Sequence, residues 1–181
     1  QALVERKLHA FRPADFDDWT HWRHGADGNM VSADKAVGVP TGVRWVAGPA
    51  QDAGGRKWYY DHVLVSSNGR NFYDYEEQII ARDAYNGVIL WTRPLKAHAF
   101  KETGLPLPEN PTPKMKLAVR TSKVRPVAVG DRLFVASEGK VLVLDGATGE
   151  TAAEFGETRD PRELLVAGGL GYALGVKNTF T

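Results

Sequence analysis

The apolar positions of this chain fall in short runs, each broken by a turn that carries glycine. His62-Val63-Leu64-Val65-Ser66-Ser67 is one such run, Asn68-Gly69 closes it, and Asn71-Phe72-Tyr73-Asp74-Tyr75 returns. Asn-Gly between two such runs is the strongest short hairpin signal, because both central positions of the tight turn need a positive φ. Ile79 to Arg82, a turn at Asn86-Gly87 and Val88 to Thr92 follow, so the pattern predicts four strands in one antiparallel meander. The pattern then repeats. Val124 to Val129, Gly130-Asp131, Arg132 to Ala136, Glu138-Gly139, Lys140 to Leu144, Thr148-Gly149 and Thr151 to Phe155 predict a second set of four strands. Glu163 to Ala167, a turn at Gly168-Gly169 and Gly171 to Leu174 begin a third.

The register of the repeat is fixed by its turns. Asp83-Ala84-Tyr85-Asn86-Gly87 and Asp145-Gly146-Ala147-Thr148-Gly149 sit in matching surroundings, and both their Asp and their Gly positions lie 62 positions apart (145 − 83). Gly130 and Gly169 are separated by 39 (169 − 130), close to the ~40-residue period of a four-stranded propeller blade. The longer first interval is accounted for by residues 96–123, where Pro106, Pro108, Pro111 and Pro113, with Pro94 just before them, remove ladder donors and predict an irregular insertion. Val141-Leu142-Val143-Leu144 is apolar on both faces and therefore needs cover on both sides. A blade between two neighbours supplies that cover, whereas an open two-sided sheet, the alternative, does not. The expected architecture is all-β: a partial β-propeller of four-stranded antiparallel blades. Residues 1–17 are expected to end a preceding blade and link onward, 18–95 to form the first recognisable blade with its lead-in, 124–160 the second, and 161–181 the start of a third. With Gln1 at one end and a strand-like run at the other, both ends read as cut from a longer protein.

Composition changes this picture little. Hydrophobic residues make up 43% and charged residues 25%, as in globular proteins, and 23 Lys+Arg against 22 Asp+Glu leave a formal charge of +1. Bulk electrostatics therefore suggests neither nucleic acid nor an anionic membrane as a partner, and no apolar stretch is long enough to span a bilayer. The absence of cysteine removes disulfides, thiolate metal sites and a Cys nucleophile. No dinucleotide or phosphate-binding glycine motif, His-Glu-x-x-His or Gly-x-Ser-x-Gly is present.

The Asp-x-x-x-Gly-x-x-x-Trp pattern of Asp83, Gly87 and Trp91 resembles the repeat of PQQ-like, quinoprotein-dehydrogenase-like β-propellers. In that family the Trp closes each blade against its neighbour; the second copy keeps Asp145 and Gly149 but has Ala153 in the Trp position. The stretch from Asp18 to Ser32, Val43-Arg44-Trp45-Val46, and the run from Ile80 to Trp91 resemble the large PQQ-like repeat proteins of planctomycete-type bacteria, over nearly all of residues 18–175. The resemblance implies fold more than activity, because such propellers include dehydrogenases and non-catalytic scaffolds. It implies an extracytoplasmic scaffold or recognition module with a protein or glycan partner. The alternative is part of a PQQ- and Ca²⁺-dependent sugar or alcohol oxidoreductase. Dehydrogenases of the resembled family frequently carry a vicinal Cys pair and a Ca²⁺ carboxylate site, neither of which is assignable here.

Two polar groups are candidate ligand-binding residues. His21, His24 and Asp27, with Arg23 and Asn29, form the densest cluster, and imidazole with carboxylate can coordinate a divalent ion. The competing reading is a loop in which Asp27 and Asn29 bond to the backbone. Asp61 and His62 precede a strand whose end would open onto a propeller face; the reading set against a ligand site, and preferred to it, is a solvated strand end. Trp58-Tyr59-Tyr60 and Trp19 with Trp22 are candidate stacking surfaces or plugs between sheets. Asp83 and Asp145 are assigned to turn stabilisation, with Gly87 and Gly149 supplying positive φ, not to acid/base chemistry.

Overall fold

The structure is a computed structural model that describes residues 15–35, 38–39, 41–46, 63–75, 77–101, 121–156, 158 and 160–175. Asp61, His62 and Trp58-Tyr59-Tyr60 lie outside these residues. Every regular element among them is a strand, so no helix is long and apolar enough to cross a membrane.

The first sheet runs β1 (Val63–Ser67), β2 (Arg70–Tyr75), β3 (Gln78–Asp83) and β4 (Ile89–Pro94), each hydrogen-bonded antiparallel to the next. Residues 96–123 were expected to be irregular, but their ends pair as a ribbon, β5 (Ala99–Lys101) with β6 (Thr121–Lys123). The four prolines all fall in sequence between these two strands. The second sheet runs β7 (Val127–Val129), β8 (Arg132–Ser137), β9 (Lys140–Asp145) and β10 (Thr151–Phe155) in the same order and sense. β7 is shorter than its apolar run suggested, because Pro126 stands immediately before it. A third hairpin pairs β11 (Pro161–Ala167) with β12 (Leu170–Gly175). The three inner hairpins turn at 68–69, 130–131 and 168–169, flanked by Ser67↔Arg70, Val129↔Arg132 and Ala167↔Leu170. Gly130 is thus matched by Gly168, one position earlier than the sequence spacing suggested.

The sheets stack face to face. Val65, Phe72, Ile79 and Ala81 of the first pack with Ala128, Leu133, Val135 and Leu144 of the second in one core. On the far face of the second sheet, Val127, Ala136 and Val141 pack with Leu164 of the third hairpin. Along β8 the period of two is explicit: Leu133 and Val135 face back to the first sheet, while Phe134 and Ala136 face forward. Full burial of a Leu or Val side chain stabilises by about 1.5–3 kcal/mol, so a strand apolar on both faces holds only between two neighbours. Four-stranded meanders laid face to face with their first strands adjacent are the blades of a β-propeller. The described residues comprise two full blades and the inner hairpin of a third.

Candidate functional site

Two features join the blades. The first is a latch built on the repeated turn. In each copy an Asp carboxylate accepts two turn amides: Asp83 from Tyr85 and Asn86 at 2.8 and 3.0 Å, and Asp145 from Ala147 and Thr148 at 2.9 and 3.1 Å. The bond from Ala147 is the main cause holding the Asp145 carboxyl below its usual range. Gly87 and Gly149 close these turns with φ of 76° each. Their missing side chains are used. A Cβ on Gly87 would lie 2.6 Å from the Trp45 ring, and one on Gly149 would lie 2.7 Å from the Trp91 ring. The indole N–H of Trp45 donates to the Ala84 carbonyl at 3.2 Å, and that of Trp91 to the Gly146 carbonyl at 3.0 Å. Trp91 belongs to the first blade and Gly146 to the second, so the indole latches one blade onto the turn of the next. A bulge aims it: the β3–β4 register shifts between Ala81 and Arg82, and the β9–β10 register shifts at the equivalent place, between Thr151 and Ala153. Arg93 reinforces the junction by donating to the Gly149 carbonyl at 2.6 Å.

An apolar cleft of about 790 Å³ lies between the second blade and the third hairpin, lined by Phe134, Val143, Ala153, Phe155, Leu165 and Tyr172 among others.

The second feature is a strap formed by the lead-in residues. Trp19 and Thr20 offer their carbonyls, and His21 its ring, to the innermost strand of three successive blades. Ser66 of β1 donates its N–H to the Trp19 carbonyl at 2.7 Å, and Ala128 of β7 donates to the Thr20 carbonyl at 2.9 Å. Val166 of β11 donates to Nε2 of His21 at 3.1 Å. Ser66, Ala128 and Val166 hold the same place in their hairpins, one residue before the position that flanks the turn. Asp18 extends the strap sideways, accepting from the Asn68 amide at 3.1 Å. Asp131, in the second blade's turn, accepts from Asn68 and Arg70 of the first at 2.6 and 2.8 Å, and the Arg70 bond chiefly lowers its carboxyl pKa.

The candidate residues of the polar cluster are placed as follows. His21 is buried, and burial is the main cause that lowers its pKa below 6.5. Its Nδ1 faces Thr20 Oγ1 at 2.7 Å, and that hydroxyl donates onward to the His24 carbonyl at 3.1 Å. His24 adopts φ of 74°, with Nε2 at 2.6 Å from Asp17 Oδ2 and Nδ1 at 3.0 Å from the Asn29 carbonyl. Asp27 accepts the Asn29 amide at 3.1 Å. His21 and His24 therefore come together through backbone pairing, but their rings and Asp27 are turned to separate partners. Trp19 packs edge-on against the His24 ring at 5.1 Å, and Trp22 lies under Arg125 at 4.5 Å.

Asp17, absent from the sequence candidates, is the hub of this loop. It accepts from the Ala33 amide and the Ser32 hydroxyl as well as facing His24. The Ala33 bond is the leading cause that lowers its pKa to about 2. The one signal for it in the sequence is its place in the acidic Asp15-Phe16-Asp17-Asp18 run.

Among the described residues no three His, Asp or Glu side chains are grouped to hold a metal ion. The carboxylates nearest the blade ends are bonded to backbone amides, to a histidine or to arginine, and no thiol is available. Among the described residues this donor set does not fit a PQQ and Ca²⁺ centre.

Comparison with known proteins gives limited likeness. Among solved structures, BamB from Moraxella catarrhalis is 17% identical, with a TM-score of 0.39 over 58% of this chain and 26% of that one. A europium-containing methanol dehydrogenase is 20% identical, with a TM-score of 0.41 over 66% of this chain and 20% of that one. The chain thus spans about a quarter and a fifth of the lengths of these two proteins. No family model and no curated protein matches.

Proposed function

We propose that this chain forms non-catalytic blades of a PQQ-like β-propeller that acts as an extracytoplasmic scaffold or recognition module for a protein or glycan. One observation supports the reading: among the described residues, the polar side chains of the candidate cluster and the repeated turns are engaged in joining blades or fixing turns. His21 holds the third hairpin, Asp83 and Asp145 hold turns, and Asp27 holds its own loop. Catalysis needs donors aimed at where a substrate sits, and here the donors are aimed at the fold itself. The location rests on the resemblance of Asp18 to Ser32 and Ile80 to Trp91 to PQQ-like repeat proteins. A Ca²⁺-dependent oxidoreductase would need a group of carboxylates around the ion, which the described residues do not bring together.

The stretch between β5 and β6 is the proposed contact element, since its stem is paired and its base is anchored. Ala97 is buried and the His98 amide donates to the Ala136 carbonyl at 2.8 Å, which anchors the start of the 96–123 insertion on the second blade. The test is titration of the purified protein with PQQ and Ca²⁺ at micromolar concentration, followed by dye reduction with sugars and alcohols. No uptake and no reduction are expected; stoichiometric uptake with turnover overturns the scaffold reading.

A further inference from the structure

Of the three equivalent bonds that the strap accepts from the innermost strands of successive blades, two end on backbone carbonyls, which do not titrate, and the third ends on an imidazole. Ser66 and Ala128 donate to the carbonyls of Trp19 and Thr20, whereas Val166, their equivalent in the third hairpin, donates to His21 Nε2. We propose that His21 makes the junction between the strap and the third hairpin pH-responsive, releasing β11 selectively on protonation while the first two blades stay tied.

The geometry fixes the proton. The Thr20 hydroxyl donates to the His24 carbonyl, so toward His21 it is an acceptor, and the ring hydrogen resides on Nδ1. Nε2 then presents a lone pair to the Val166 amide. A second proton can be taken only at Nε2, and it turns that acceptor into a donor facing another donor at 3.1 Å. The bond becomes a repulsion. The half-buried amide loses its partner at the same moment that a buried ring acquires charge, and each is unfavourable.

On its own segment Asp27 is the charged residue whose field reaches the ring and favours the protonated form, while burial opposes that form and dominates. From β11 the ring meets the Val166 amide, from its own segment the Thr20 hydroxyl, and the nearby Arg125 before β7 lies over Trp22, the next residue in the chain. The sign follows from linkage: a ring that resists protonation when folded binds fewer protons than the unfolded chain. The tie is complete above pH 6.5 and weakens as pH falls from 6.5 toward the lowered value.

The test is amide hydrogen exchange on the whole chain at about pH 7.5 and about pH 5, comparing protection at three equivalent amides. Val166 is expected to lose about tenfold or more in protection relative to Ser66 and Ala128, and His21→Gln, whose amide oxygen replaces Nε2 as an acceptor that does not titrate, is expected to abolish the difference. Parallel behaviour of the three amides overturns the proposal, as does an unchanged difference in His21→Gln. Should that variant not fold, the ring nitrogen spectrum of the unmodified protein decides. A proton on Nε2 at neutral pH is incompatible with the switch, and a proton on Nδ1 that is joined by a second as Val166 loses protection supports it.

Discussion

The Trp–Gly latch makes a quantitative prediction with an internal control. Gly149 and Gly139 both adopt a positive φ, 76° and 77°, so alanine at either meets the same backbone penalty of about 1–2 kcal/mol. Their surroundings differ. A Cβ at Gly139 meets nothing within 4 Å, whereas at Gly149 it lies 2.7 Å from the Trp91 indole. That ring cannot yield easily, since it is bonded to the Gly146 carbonyl and packs near Phe72 at 6.0 Å between ring centres. Overpacking of this kind adds about 1–3 kcal/mol. Gly149→Ala is therefore expected to cost about 2–5 kcal/mol in total and Gly139→Ala about 1–2. Trp91→Ala alone should cost about 3 kcal/mol, at the low end for a large aromatic because the ring is only partly buried. In the Trp91→Ala background, Gly149→Ala should retain only its backbone share, so the double-mutant cycle closes with about 1–3 kcal/mol of coupling. Urea unfolding followed by far-ultraviolet circular dichroism measures each corner, with constant slope confirming one transition. Equal costs for Gly149→Ala and Gly139→Ala, or no coupling with Trp91, would refute the latch.

Other expectations follow from single contacts. Asp74 is buried at 1% side-chain exposure with Lys123 Nζ at 3.1 Å, so Lys123→Met should cost about 3 kcal/mol, and adding Asp74→Asn should recover about half, as read by thermal melting. Asp83→Ala and Asp145→Ala each strip two turn amides of their acceptor and should each cost about 1–2 kcal/mol, with Asn the milder replacement. Asp17 has a folded pKa of about 2 against 3.8, so its ionised form stabilises the lead-in loop fully above pH 3.8 and progressively less as pH falls toward 2. Asp17→Asn should flatten that acid dependence, measured from the Ala33 amide signal; an unchanged profile would remove Asp17 from the role.

The blades were legible because their information is local. Asn68-Gly69 and the Asp83 to Gly87 turn contain in a few residues everything that specifies their conformation, and alternation along β8 assigns its two faces. Trp91 was legible as a blade-closing residue only through the family resemblance; that it docks on the following turn depends on a glycine 58 positions later (149 − 91). The strap was not legible. Two of its three ties use backbone carbonyls, which every residue possesses, so no side-chain pattern marks Trp19 or Thr20 as acceptors. A cluster of nearby polar residues suggests local convergence, whereas Nε2 of His21 meets an amide 145 positions away. The β5–β6 ribbon was hidden by prolines that belong to the segment between its strands.

The order in which the strap's partners leave the ribosome has a kinetic consequence. At roughly 5–20 residues per second, Val166 emerges about 7–30 s after His21, long after each hairpin could have zipped on its own. The closure entropy for that distant tie exceeds that of the nearer ones only logarithmically. Synthesis, more than thermodynamics, therefore sets when the N-terminal stretch is finally sewn in, and until then the nascent chain displays a buried-to-be imidazole to its surroundings.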